Sequence, residues 1–261
     1  MNKNGMTLIE LLVYMAIAAL LLAPVIMLMQ NSSVNMARDA VTTDLRISGR
    51  DILNIMYEDI RNTGFKLRDA TGKVDTVATF IVMNTAVNPH VIITNDPSSF
   101  KPDNGVGGSG AFDSLTVLKG RLNSSGIWEG YDTLIYYVRE KDSTLIRRNV
   151  KIDNANPNYP VAVVREIARP VEALQFQYSA DLSNWKDTYP NNSAGFAEKK
   201  KVRYIKISVV TKDYKKLAPT KTSLEINVGD YTLPAPTRTD QALRELSEIV
   251  VPIPNNGLFP Q

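Results

Sequence analysis

The chain has 261 residues, 44% of them hydrophobic, with 30 Lys and Arg against 27 Asp and Glu for a formal charge of +3. One histidine and no cysteine exclude thiol nucleophiles, disulfide staples and the common Cys/His zinc sets. Charges so nearly balanced also argue against the wide basic footprint of a nucleic-acid binder.

The first element is the most informative. Met1–Asn4, with Lys3, precedes Gly5, and a long apolar run follows. Apart from Glu10, no charged side chain occurs between Leu8 and Met29. About 20 apolar residues cross a bilayer core, so the run is long enough to span one. A carboxylate costs roughly 2.5–3.5 kcal/mol at the centre of such a helix and less near its end, so Glu10 needs a partner. A cut after Gly5 would place a new amine on Met6, one helical turn from Glu10. A secretory signal would have a shorter apolar core followed by a small-x-small site, but Gln30-Asn31-Ser32-Ser33 offers none. An ordinary anchor has no reason to keep Glu10. Pro24 deletes one backbone donor and should kink or locally unwind the helix. Lys3 supplies a positive charge for the cytoplasmic side.

These residues resemble the N-terminus of the type IV pilins and pseudopilins. In that family a short basic leader ending in Gly is removed on the cytoplasmic face. The new N-terminus is methylated, and the acid at the fifth mature position serves filament assembly. The resemblance implies a leader of residues 1–5, cleavage between Gly5 and Met6, methylation of Met6 and an assembly role for Glu10. Met6 stands where Phe is more usual. A proline in the helix at about the place of Pro24 is also common in the family.

The helix should continue beyond the membrane. Val34, Ala37, Val41, Leu45, Ser48, Ile52, Met56 and Ile60 step by threes and fours along one face. Arg46, Arg50, Asn54, Tyr57 and Arg61 fall on the other side. Gly64 is a natural stop. The expected segments are 6–30 for the membrane and filament-core part, 31–63 for the amphipathic part, and 64–261 for a β-rich head.

In the head, strands are predicted at Val77–Met83, Ser114–Leu118, Thr133–Val138, Thr144–Arg148, Val161–Val164, Ala173–Tyr178, Val202–Thr211, Ser223–Val228 and Glu248–Val251. Leu174, Phe176 and Tyr178 alternate with Gln175 and Gln177, which predicts one dry and one wet face. Ile205, Ile207 and Val209 form the expected core side of their strand. Asn95–Gly110, Asp153–Pro160, Trp185–Glu198 and the proline-bearing stretch from Tyr231 to Thr239 read as loops. Pro252, Pro254 and Pro260 read as an extended end. The fold class is α+β, a long N-terminal helix packed on an antiparallel sheet.

Three head segments extend the resemblance to minor subunits of the PilW and GspJ types. Tyr57-Glu58-Asp59-Ile60-Arg61 resembles their acid-Leu/Ile-Arg helix end. Leu134–Val138 followed by Leu145-Ile146-Arg147-Arg148 resembles their strand pair with a Leu-x-Arg second strand. Val171–Tyr178, then Trp185, then Val202–Ile207 resembles their last shared block. This implies a minor subunit in a tip or initiation complex. It also implies the partners: other pilin or pseudopilin subunits, the prepilin peptidase, an inner-membrane assembly platform, and lipid before assembly. The expected location is the inner membrane, crossed once, with the head outside the cytoplasm.

Other chemistries have little to stand on. His90 lies in a turn, and no nucleophile elbow or phosphate-binding loop appears. The expectation is therefore no enzyme and no cofactor. Asp153, Asn154 and Asn156, or Asp181, Asn184 and Asp187, offer calcium-type oxygens, though Asp/Asn-rich turns are common without metal. Lys199–Lys201 with Arg203 reads as the solvated approach to a strand. A pilus-borne adhesin or DNA-binding subunit is the alternative, marked by a wide positive groove. A membrane-tethered hydrolase, marked by a pocket with two close carboxylates, ranks below it.

Overall fold

The computed structural model describes residues 8–61, 112–122, 124–125, 128–139, 141–153, 156–187, 201–213, 225–229, 231–233 and 242–253. Gly5, Met6, Gly64, the strand expected at Val77–Met83, His90 and the loop at Asn95–Gly110 lie outside them, as do Lys199 and Lys200.

One helix, α1 (Leu8–Arg61), runs for 54 residues, on the order of 80 Å at about 1.5 Å per residue. It continues through Pro24, where the missing amide leaves the Leu20 carbonyl without its intrahelical donor. The helix is exposed over its first half and packs on the head over its last third. Val41, Leu45, Gly49, Ile52, Leu53, Met56, Asp59 and Ile60 are buried. Val34 and Ala37, expected on the packing face, are exposed, because burial begins at Val41, about one turn above Ala37 and two above Val34. Tyr57, expected on the outer side, is half-buried against the core.

The described strands form two larger antiparallel sheets and a hairpin. β1 (Leu115–Leu122), β2 (Trp128–Arg139), β3 (Thr144–Asp153) and β4 (Asn156–Ala168) follow one another as a meander in the order β1-β2-β3-β4. β5 (Val171–Ser179) pairs with β6 (Tyr204–Lys212), which pairs with β9 (Arg244–Pro252). Between them β7 (Ile226–Val228) and β8 (Tyr231–Leu233) make a small hairpin. The chain passes from β4 to β5 through a cis Arg169–Pro170 bond. The two sheets are stitched at Asp113, whose amide donates to the Leu174 carbonyl at 2.8 Å and whose carboxylate accepts from the Phe176 amide at 2.9 Å.

Eight of the predicted strands overlap β1–β7 and β9, with Ser114, Val202 and Arg203 lying just before the observed strands. Three features differ. β8 lies inside the proline-bearing stretch read as a loop; it forms because Tyr231–Leu233 can return directly on β7 in register Ile226↔Leu233. The Asp153–Pro160 segment is mostly strand, ending β3 and opening β4 at the Asp153↔Asn156 pair. The third difference is the wet face of β5. Gln175 is buried, since Ala173 and Val210 on that side are covered by Val228 and Leu233 of the hairpin. The other face meets the main core, where Phe176, Tyr178, Ile205, Ile207 and Val209 pack with Ile52, Met56 and Ile60 of α1.

α1 lies chiefly across β9 and β6. Gly49 makes this approach possible: a Cβ there would sit 2.2 Å from Ser247 Oγ and 2.9 Å from its Cβ. Gly49→Leu should therefore push α1 off β9. The expected loss is about 1–3 kcal/mol, the usual range for overpacking, read as a lower urea midpoint by circular dichroism, while Gly49→Leu combined with Ser247→Gly recovers part of it.

Candidate functional site: an apolar helix and its anchor in the head

The lower helix is apolar all round and uncovered. Leu8, Ile9, Leu20 and Leu21 are exposed, as are Val25 to Met29. By length and composition this helix could cross a membrane. Glu10 lies in the first turn of α1, where a carboxylate is favoured by the positive end of the helix dipole. Its relation to Gly5 and Met6 lies outside the described residues. Pro24 lies within the same exposed stretch, so Glu10 and Pro24 share one apolar rod.

At the other end, α1 is anchored by charge. Asp59 is buried among the core residues of the last turns. The Tyr136 hydroxyl of β2 donates to Asp59 Oδ2. Arg147 of β3 grips the same carboxylate with two donors, Nε to Oδ2 at 2.6 Å and Nη2 to Oδ1 at 3.1 Å. Arg147 Nε also reaches the tyrosine oxygen at 3.2 Å. This fork geometry suits a planar guanidinium and a carboxylate. Burial, and then the neighbouring Asp59 charge, push the Tyr136 phenol well above its usual range. The bond to Asp59 likewise holds Arg147 in its charged form.

Asp59 comes from the acid-Ile-Arg helix end, and Arg147 from the Leu-x-Arg strand. Two motifs that are 88 residues apart are therefore the two halves of one ion pair. Residue spacing could not show this, since nothing local relates α1 to β3. The last shared block also closes on itself. Trp185 lies under Lys206 Nζ, 5.2 Å from its ring centroid, a cation–π distance. Lys186 pairs with Tyr178 through amide–carbonyl bonds of 2.8 and 2.9 Å.

Further charges tie the ends of the second sheet. Glu172 of β5 accepts from Arg244 of β9 through Nε and, at 3.0 Å, Nη2, and from Lys212 of β6 at 3.2 Å. Arg46 of α1 reaches Glu245 of β9 at 2.7 Å, but Arg46 is largely exposed and such pairs contribute little.

Of the oxygen-rich segments, Asp181 is used by its own turn. It accepts from the amides of Asn184 and Ser183, both at 3.0 Å, and from the Asn184 side chain at 3.1 Å. Asp187 accepts from Gln177 at 2.7 Å. Among the described residues no three His, Cys, Asp or Glu side chains are grouped to hold a metal ion. Lys201 and Arg203 are exposed on the approach to β6.

Two family models match the chain, one at each end. The prokaryotic N-terminal methylation motif matches residues 1–26. The family described as type IV pilus-assembly protein W matches residues 135–255, from the middle of β2 to just past β9. A solved structure, a type IV-like pilin from Thermus thermophilus, is similar over 55% of this chain and 79% of its own, at 16% identity and a TM-score of 0.39. No curated protein matches.

Two outcomes are expected of the head. Asp59→Asn and Arg147→Met should each cost about 2–4 kcal/mol, because each strands a largely buried charge or its partner. A double Asp59→Asn, Arg147→Met variant should lose less than the sum of its single changes, as measured by a double-mutant cycle in urea. Asp181 has its pKa lowered to about 2, first by the Asn184 amide. A depressed carboxylate stabilises the fold above its unfolded pKa, near 4, and that contribution fades as pH falls through the folded value. The gap in melting temperature between wild type and Asp181→Ala should therefore be full above about pH 4 and largely gone near pH 2.

With the N-terminal methylation motif at the foot of a long apolar helix and the type IV pilus-assembly protein W domain in the head that anchors it, the chain is a type IV pilin-like minor subunit of the PilW type.

Proposed function

We propose that the chain is a precursor inserted in the inner membrane by α1, with its head outside the cytoplasm. It is cut between Gly5 and Met6, methylated on Met6, and assembled as a minor subunit in the tip or initiation complex of a pilus or secretion pseudopilus. Membership of the pilin family already implies processing by a prepilin peptidase and assembly with other pilin subunits. The observation that carries the finer reading is the uncovered apolar half of α1, with a single carboxylate near its foot.

The mechanism follows from solvation. Before assembly, lipid covers the apolar half of the rod. On extraction by the inner-membrane assembly platform, like helices of neighbouring subunits replace the lipid. Glu10 then leaves the membrane edge for a packed bundle, where an unpartnered charge is heavily penalised. The Met6 amine, its own or a neighbour's, supplies the opposite charge. Pairing therefore also checks register, because a subunit shifted by one turn leaves both charges uncompensated. The Asp59 anchor makes the head follow the helix as it moves. The role of the chain is structural, with no catalysis and no cofactor. An adhesin or DNA-binding role would use the same anchor; no observation favours it.

Glu10→Ala should insert and be cut normally, yet enter sheared filaments at least about tenfold less than wild type. A Gly5→Trp control should stay at precursor size on a gel. Filament incorporation of Glu10→Ala equal to wild type, beside a cut-competent control, overturns the charge-pairing role.

A further inference from the structure

β4 is left open. It is the outer strand of the meander among the described residues. From Val161 to Glu166 every residue is exposed. Successive strand residues point to opposite faces, so both faces of this stretch are exposed, and among the described residues no strand pairs with its outer edge. Val161, Val163 and Val164 are 60%, 39% and 55% exposed.

Sheet edges are ordinarily blunted by proline, lysine or a covering element. The first part of β4 contains Pro157 and Pro160, which cannot donate to a neighbouring strand. The second part, Val161 to Ala168, has no proline, and its only charges are the adjacent Arg165 and Glu166, which leave Val161–Val164 uncharged. A row of backbone donors and acceptors beside β-branched side chains specifies one kind of occupant, an extended chain.

The neighbouring surface narrows its chemistry. Between the end of β4 and α1 runs an open groove of about 250 Å³, lined by Ile167 and Ala168 on one side and by Ile47, Ile55, Asp44 and Asp51 on the other. Ile47 and Ile55 are exposed, as are Asp44 and Asp51. Among the described residues neither carboxylate has an ion-pair partner. The occupant therefore brings positive charge to the α1 side. A second copy of this chain fits poorly: its own β4 carries Arg165 next to Glu166, and its groove adds two more acids.

We propose that the β4 edge from Val161 to Ala168, with the acidic groove beside it, docks an extended, lysine- or arginine-bearing segment of another filament subunit as a fifth strand of the sheet. The filament reading supplies only the source of that segment. Backbone bonds give the affinity, valine-sized side chains pack on the bare faces, and Asp44 and Asp51 select the charge.

The test uses the full mature chain in detergent micelles and short fluorescent peptides alternating valine and threonine. One peptide has lysine at its ends, one has glutamate, and one is the lysine peptide N-methylated at alternate residues. The lysine peptide should bind. The glutamate peptide should bind about tenfold more weakly, and the N-methylated peptide should not bind up to about 1 mM. Asp51→Lys should remove or reverse the charge preference, and Val164→Lys should weaken the lysine peptide about tenfold. Glu10→Ala should leave peptide binding unchanged, which separates this surface from the assembly role of the helix. No binding of the lysine peptide, or equal binding of the N-methylated one, overturns the proposal. Self-association of wild type that Val164→Lys abolishes also overturns it, because the occupant is then a second copy.

Discussion

A helix that is bare for half its length can position a head only if its far end is held firmly. Here the hold is the carboxylate of Asp59, gripped by Arg147 and Tyr136 at the point where α1 meets the four-stranded sheet. The apolar contacts of Ile52, Met56 and Ile60 are stronger in sum but indifferent to small rotations, because hydrophobic burial is non-directional. A bidentate guanidinium–carboxylate pair is directional. It fixes which side of α1 faces β2 and β3, and so fixes where the head points when the lower helix packs among others.

The lower contact is of another kind. Gly49 lets β9 come close enough to interlock with the helix, and Arg46 adds only a solvated ion pair at the rim. The upper anchor sets direction and the lower one sets distance. Between them one face of the three-stranded sheet packs on α1, and the β7–β8 hairpin covers part of the other at Ala173 and Val210. The four-stranded meander, by contrast, ends among the described residues in a strand whose residues 161–166 are exposed.

Much of this was legible along the chain. The apolar run with Glu10 at its foot is a one-dimensional signal, because bilayer thickness alone dictates its length. Strand alternation was equally plain in Leu174–Tyr178 and Ile205–Val209, whose core faces are those observed. Gln175 was misread for a clear reason. Alternation shows that two faces differ, not whether a second layer covers the polar one. β8 escaped because three residues carry too little pattern to stand out beside Pro234 and Pro236. Tyr57 was placed outside because a long side chain at the border of a helical stripe can fold toward either side.

The residue types and their spacing along the chain determined the membrane-length helix, its lone acid, the packing stripe and most strands, since each depends on neighbours within a few positions. Only the tertiary structure decided that Asp59 and Arg147 are one pair, that Gly49 faces Ser247, and that β4 is left at an edge. These depend on how β-strands separated by long stretches come to lie beside the helix, and that arrangement is set by the burial of the whole core rather than by any local preference.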